Sequence, residues 1–348
     1  MTSMDGNIEF RSIDETSASE WTAFVANRPD STVFHSLGWL RTVETVFGYE
    51  PWSHLAYDRT GEPVAAIPGV KVFDGFGRSI INPFCEYGFP LIADSIADER
   101  VLSALRSTTG LLESVILKEV EWSSVDSYVD AMYGGVLTGT SRRLRLDEPF
   151  EELWRSAFRR QIRQRVRTAR EHDLQTTEGS IEDFYSLYKT TMARLGSPQF
   201  PIRFFEELAD RLEGAAEVLL ASVNSRSIGA LFTIEWGETT YIWGNGSIEE
   251  GLCYRPNHLL YMRAIKRACD RGQSLVDFGR SRHGSGVHEF KSQFGGTAHP
   301  LASFVAPPYR SPRASLEGYD RFAPVTRRLA PVVTHPLVGP RLKRLIHE

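Results

Sequence analysis

"SLVDFGRSRHGSGVHEFKSQFGG", residues 274–296, passes through three kinds of local structure in one short stretch. SLVDFG is an apolar run that ends on a glycine and reads as a strand. Arg280, Arg282, Gly284 and Gly286 then make a basic, glycine-rich loop, and VHEFKSQFG reads as a helix. This order brings backbone N–H groups and a helix N-terminus to a place where an anion can approach closely. Lys291 lies one turn into the helix beside Phe290, and it is one of only six lysines against thirty-four arginines. A cation there can neutralise charge developing on a carbonyl or phosphoryl oxygen. The same residues also suit a surface loop with solvated cations.

Working outward, the second half runs strand DLQTTEG, helices IEDFYSLYKTTMARL and IRFFEELADRL, then strands AEVLLASVN, IGALFTIEWG and TTYIWGNG. A helix from about Asn257 to Arg271, with Gly272 just past its end, leads into SLVDFG, and strand PLASFVA follows the last helix. The first half shows the same order. Strand IEFRSI precedes helices ASEWTAFVANR and LGWLRTVETVFG, followed by strands WSHLAYD, PVAAIPGVKVF and SIIN. A helix from about Asp94, with Val101, Leu102 and Leu105 facing inward, leads to strand SVILKEVEW, helix VDSYVDAMY and strand VLTGTSRRLRL. The repeat of β-α-α-β-β-β-α-β-α-β predicts a duplicated α+β chain. The expected domains are residues 1–150 and 151–306, with a Pro-rich basic tail over 307–348 that ends in the helix GPRLKRLIHE.

The join is FEELWRSAFRRQIRQRVRTAREHDL. Trp154, Phe158, Ile162 and Val166 form an apolar stripe at helical spacing, and six arginines lie between Arg159 and Arg170 with no acid among them. A helix with no partner would normally interleave glutamates to relieve like-charge repulsion. The arginines are either a solvated face or a set of phosphate-binding forks. Net charge of −4 argues against a protein that coats DNA, so any anion site is local. Three cysteines without a CxxC pair give neither a zinc nor a disulfide framework and favour a reducing compartment. No GxSxG, GxxxxGK[ST] or HExxH occurs, and no metal site is expected. MTSMDGNIEF has no signal-peptide pattern, and no run of apolar residues is long enough to span a membrane.

DFGRS…EFKSQFGG resembles the DFGG…FKxxFG segment of the FemAB-like transferases of the Gcn-type N-acetyltransferase (GNAT) superfamily. RRQIRQRVRTAREHDL, RLGSPQFPIRFFEEL, YRPNHLLYMRAIKRA and FHSLGWLRTVETVFG resemble further blocks of that family, in the branch associated with exosortase and exopolysaccharide loci. The resemblance implies two tandem GNAT-like domains, mixed sheets flanked by helices, around a central cleft. It also implies transfer of an acyl or aminoacyl group to an amine, with Phe290 and Lys291 lining the transfer channel. Two departures stand out. The family's second glycine is Arg280 here, and the basic residue that peptidoglycan-building members carry four past their tryptophan is Val43 here, counted from Trp39, with Arg41 nearby. RHGSG is one residue short of the acyl-CoA loop [RQ]xxGx[GA].

The expected protein is a cytoplasmic N-acyltransferase acting on a cell-envelope or exopolysaccharide precursor. Its donor is acyl-CoA or an aminoacyl-tRNA. Lys291 and Phe290 are the expected catalytic pair. Arg280, Arg282, Gly284 and Gly286 are expected to hold donor phosphates, helped by Arg159, Arg163 and Arg203. His288 and Glu289 are the candidates for a base. Further candidate partners are tRNA and, through the basic tail, a membrane surface; DNA is not expected. The rival readings are an acetyl-CoA-dependent acetyltransferase of small amines and a phosphate-ligand or RNA-binding module without turnover.

Overall fold

Each half of the chain closes a hydrophobic core of its own in the computed structural model, which describes residues 8–73, 78–108, 113–121, 133–306, 329–335 and 337–346. The first unit runs to Thr138 and regains the chain from Pro300, while the second holds Gly139–His299 and Tyr319–Ile346. The expected boundaries at 150 and 306 therefore move, for a reason that lies in two strands described below.

The first unit contains β1 (Glu9–Ser12), α1 (Ala18–Ala26), α2 (Leu37–Phe47), β2 (Glu50–Pro51), β3 (His54–Tyr57), β4 (Pro63–Ile67), β5 (Val70–Phe73), β6 (Arg78–Ile81), β7 (Leu91–Ile92), α3 (Asp98–Thr108) and β8 (Glu113–Glu121). Helix α2 starts where the Ser36 hydroxyl accepts from the Trp39 amide at 3.1 Å and stops at Gly48, whose φ of 63° is left-handed. Strands β1, β3, β4 and β7 pair antiparallel, whereas β6 and β8 pair in parallel from Arg78↔Glu113 to Ile81↔Ile116. Val101, Leu102 and Leu105 face inward as expected, packing with Val64, Ala65, Ile67 and Ile80. Their helix begins at Asp98 and not near Asp94, because Ala93–Ile96 closes a turn first. The helix expected over VDSYVDAMY lies, up to residue 132, outside the described residues.

The second unit begins within β9 (Tyr133–Arg145) and continues through α4 (Phe150–Ser156), α5 (Arg160–Glu171), β10 (Gln175–Glu178), α6 (Ile181–Leu195), α7 (Ile202–Arg211), β11 (Ala216–Val223), β12 (Arg226–Trp236), β13 (Thr239–Ser247), α8 (Pro256–Asp270), β14 (Leu275–Ser281) and α9 (Gly286–Ser292) to the start of β15 (Thr297–Ala306). Its strand order is β10-β11-β12-β13-β14-β9, antiparallel except for the parallel β13–β14 pair, which α8 bridges. Each unit thus holds one parallel pair within an otherwise antiparallel α+β arrangement. That is the expected class.

The last strand of each repeat is the one out of place. β9 closes the first repeat in sequence, yet its Thr140–Arg145 part pairs with β14. β15 closes the second repeat, yet Leu301–Ala306 pairs with β8, matching Leu301 to Glu121 and Ala306 to Val115. The two repeats have exchanged their final strands, and this exchange shifts the unit boundaries.

The arginine-rich join is two helices, not one. Of the predicted stripe, Phe158, Ile162 and Val166 are buried and Trp154 is half-buried, but the chain breaks between Ser156 and Arg160. The break is held from both sides. The Arg163 guanidinium donates to the carbonyls of Trp154, Arg155 and Phe158 at 3.2, 3.1 and 2.6 Å, which satisfies the orphan acceptors at the end of α4. The Arg159 amide donates to the Gln293 carbonyl at 2.9 Å.

Candidate active site

The end of β14 carries the geometry on which the site is built. Asp277 pairs with Arg143 across the ladder, but Arg280 pairs with Ser141, so β14 has one residue too many and bulges. Gly279 sits in the bulge with φ of 69°, a left-handed conformation that glycine adopts without a Cβ clash. Asp277, 1% exposed, fastens the bulge from below. Its Oδ1 accepts from the Gly279 amide at 2.6 Å and the Ser141 hydroxyl at 3.1 Å, and its Oδ2 lies 3.5 Å from Arg143 Nε. Lys291 fastens it from α9. Its buried Nζ donates to the carbonyls of Gly279 at 3.0 Å and Arg280 at 2.8 Å. The lysine that the sequence places behind a loop thus reaches past the loop to the strand.

The bulge opens the sheet. β13 and β14 pair only from Thr239↔Leu275 to Tyr241↔Asp277, although β13 continues to Ser247 and β14 to Ser281. β13 has an irregularity of its own opposite Phe232 and Thr233. The two parallel strands part beyond Asp277.

The first turn of α8 completes the cluster. Its N-cap is Arg255 at φ of 62°, with no side-chain cap, and Pro256 opens the helix. His258 is buried, and its Nε2 accepts from Arg165 Nη1 at 2.9 Å, so the proton of the neutral ring is on Nδ1. That Nδ1 and the buried Oδ1 of Asn257 have no hydrogen-bond partner among the described residues. Burial first, then Arg165 and Arg255, hold His258 well below the usual histidine range, at about 4. Its ring meets Phe290 edge-on at 5.1 Å, and Tyr261, one turn along α8, also meets Phe290 edge-on at 5.0 Å. Phe290 is therefore held by two residues of α8.

The loop residues have other neighbours. Arg282 and Gly284 lie on an exposed turn closed by the Ser285 amide, which donates to the Arg282 carbonyl at 3.1 Å. Helix α9 is only seven residues long, and the Ser285 hydroxyl caps it by accepting from the His288 amide at 3.2 Å. The rings of His283 and His288 lie 5.0 Å apart, and His288 Nδ1 is 3.4 Å from the Ser281 hydroxyl. Partial burial, Arg142 and His283 lower the His288 pKa. Arg159 pairs with Glu289 at 2.8 Å, so an acid from α9 relieves the basic helix and that carboxylate is engaged. Arg163 is used at the α4 carbonyls. Arg203 pairs with Glu207 one turn along α7 at 3.1 Å, away from the bulge.

The structure therefore gathers Lys291, Phe290, Arg280 and Arg159 around the bulge and α9, and leaves Arg203 out. Sequence reasoning missed Asp277, Arg143, Arg165 and His258. An aspartate inside an apolar strand and a histidine directly after a helix-opening proline were the available signals. Among the described residues, no group of three His, Cys, Asp or Glu side chains could hold a metal ion, and no helix is long and apolar enough to cross a membrane.

Residues 156–292 match the family model described as "Acetyltransferase (GNAT) domain". No curated protein matches the chain. Among solved structures, FemX superposes with a TM-score of 0.66 at 16% identity, covering 90% of this chain and 100% of FemX. L-PGS from Bacillus licheniformis gives 0.57 at 12% identity over 94% of this chain and 98% of its own. The C-terminal DUF2156 domain of a candidate lysylphosphatidylglycerol synthetase from Agrobacterium fabrum gives 0.57 at 9% identity, over 93% and 98%.

Proposed function

We propose, from the premise that this chain carries a GNAT acetyltransferase domain over residues 156–292 on a FemAB-like fold of two tandem GNAT-like domains, that it is an N-acyltransferase. It moves an acyl or aminoacyl group from an activated donor to the amine of a cell-envelope or exopolysaccharide precursor. The observation that carries this reading is the parting of β13 and β14 beyond Asp277, beside the uncapped first turn of α8. A donor's acyl arm fits where two parallel strands leave their backbone groups unshared. Its phosphates suit the α8 N-terminus, where Arg165, Arg255 and the unpartnered Nδ1–H of His258 converge. This replaces the exposed 280–286 loop as the expected donor-phosphate site.

The amine adds to the donor's carbonyl to form a tetrahedral intermediate whose oxyanion requires fixed donors. The intermediate collapses with cleavage of the donor's C–S or C–O bond, the thiol of CoA or the hydroxyl of tRNA leaving with the proton that the amine gives up. Lys291 holds the bulge carbonyls and supplies a buried positive charge next to them. Phe290 walls the site and excludes water. Lysylphosphatidylglycerol synthetases, as their name states, join lysine to a lipid, which favours an aminoacyl donor and an envelope acceptor. The family description favours the second reading, an acetyl-CoA-dependent acetyltransferase of small amines.

The test is direct. Purified protein is incubated with envelope-precursor extracts and either acetyl-CoA or a mixture of aminoacyl-tRNAs, and the mass of any acceptor adduct is read. A gain of an amino-acid residue supports the first reading, and a gain of an acetyl group on a small amine supports the second. No adduct with any donor, together with unchanged donor binding in Arg165→Gln and His258→Gln, overturns both.

A further inference from the structure

Five large apolar side chains are exposed among the described residues, and three of them fall between positions 329 and 337: Leu329 at 50%, Val332 at 55% and Leu337 at 68%. Leu329 precedes α10 (Ala330–Val333), Val332 lies on it, and Leu337 comes just before α11 (Gly339–Ile346). This segment is not a loose end. Val333 and Thr334 are buried, Gln199 Nε2 donates to the Thr334 carbonyl at 2.7 Å, and Lys343 Nζ lies 4.6 Å from the Phe200 ring centroid. Anchored from beneath in this way, the segment still presents its leucines and valine to solvent. Three of the five exposed large apolar side chains thus fall within nine residues of an anchored segment, a concentration that scattered surface residues do not show.

The charge around it specifies the contact. Arg341 and Arg344 are exposed and three residues apart, hence on one face of α11. From Arg321 to His347 the sequence has six basic residues and no acid, in a chain whose net charge is −4. Singly projecting aliphatic side chains beside guanidinium groups match the boundary between acyl chains and anionic headgroups. A second copy of the chain fits less well, because a stable protein interface needs about 800 Å² per partner and three side chains cannot supply that core.

We propose that Leu329, Val332, Leu337 and Arg341 dock the protein on a membrane rich in anionic lipid. The inference goes beyond the acyltransferase reading and does not depend on it.

Sedimentation with phosphatidylcholine vesicles, pure or containing about one third phosphatidylglycerol, tests it. The protein is expected to partition onto the anionic vesicles only, and added salt should release it. Arg341→Gln should lower the partition coefficient ~5-fold, the equivalent of one cation near the surface. Val332→Ser with Leu337→Ser should lower it ~10-fold or more without shifting Tm. Val287→Ser, at an exposed apolar site on α9 (56% exposed), should leave it unchanged. Equal binding to both vesicles, no binding to either, or an equal loss in Val287→Ser would overturn the proposal. So would a concentration-dependent dimer that Val332→Ser with Leu337→Ser abolishes, since the occupant would then be a second copy.

Discussion

Replacing Lys291 with methionine keeps the length of the side chain and removes its charge. In the structure, Nζ donates to two backbone carbonyls, those of Gly279 and Arg280, in a site only 6% exposed. A hydrogen bond to a charged donor contributes about 1.5–3 kcal/mol, and a buried carbonyl left without a partner costs about 1–3 kcal/mol. The desolvation of the ammonium itself offsets part of this, so a net loss of about 2–4 kcal/mol is expected. At roughly 2–4 °C per kcal/mol for domains of this size, Tm should fall by about 4–16 °C. The bulge would relax with it, and kcat should drop ~10²-fold or more. Calorimetry and turnover on the same preparation separate two roles. If the lysine only met the oxyanion, kcat would fall while Tm held. If it holds the bulge, both fall, and the Gly279 amide exchanges faster with solvent as its bond to Asp277 loosens. Lys291→Arg should recover stability only in part, because a planar fork does not fit a two-carbonyl cradle shaped for an ammonium. A Lys291→Met protein with wild-type Tm and near-normal turnover would refute the reasoning.

Burial holds both His35 and His258 at about 4, below the ordinary histidine value of 6.5. Each therefore contributes stability that is complete above pH 6.5 and is lost as pH falls toward 4. At pH 5 the loss is about 2 kcal/mol per histidine, so denaturant midpoints should fall from pH 7.5 to pH 5, and less steeply in His35→Gln or His258→Gln; equal slopes would count against neutral burial. Gly296→Ala should cost several degrees of Tm or solubility, because φ there is 73° and a Cβ would overlap the Arg143 carbonyl; an unshifted melt would show that the backbone gives way easily. Arg163→Gln should destabilise by about 2 kcal/mol through the α4 carbonyls, whereas Arg203→Gln, an exposed i,i+4 pair, should stay within about 0.5 kcal/mol; equal denaturation midpoints would contradict the difference.

Much of this was legible in residue spacing. The period of Trp154, Phe158, Ile162 and Val166 marked an apolar face whose last three members are buried, and the duplicated element order gave the α+β class with its paired helices. The stretch at 274–296 was correctly divided into strand, loop and helix. What the spacing could not carry was partnership. The alternation of VLTGTSRRLRL marks a strand but not the strand it pairs with, so the exchange of β9 and β15 was hidden. A one-residue bulge is likewise silent, and with it the use of Lys291 and Asp277 on backbone groups. Arg163 read as a free fork because the carbonyls it serves become exposed only when the helix breaks at Arg159.

The exchanged strands also set a timetable for synthesis. β8 is complete once Glu121 has emerged, but its neighbour begins at Leu301, about 180 residues further along the chain. At roughly 5–20 residues per second, that leaves the β8 edge without this partner for roughly 10–40 s on the ribosome. A bare strand edge is a template for pairing with another chain. The first unit is thus an obligate late finisher, despite being made first. Fragments cut at the middle of the sequence would carry that open edge permanently, and crowded expression would favour cross-pairing between nascent chains over the long-range closure that the native order demands.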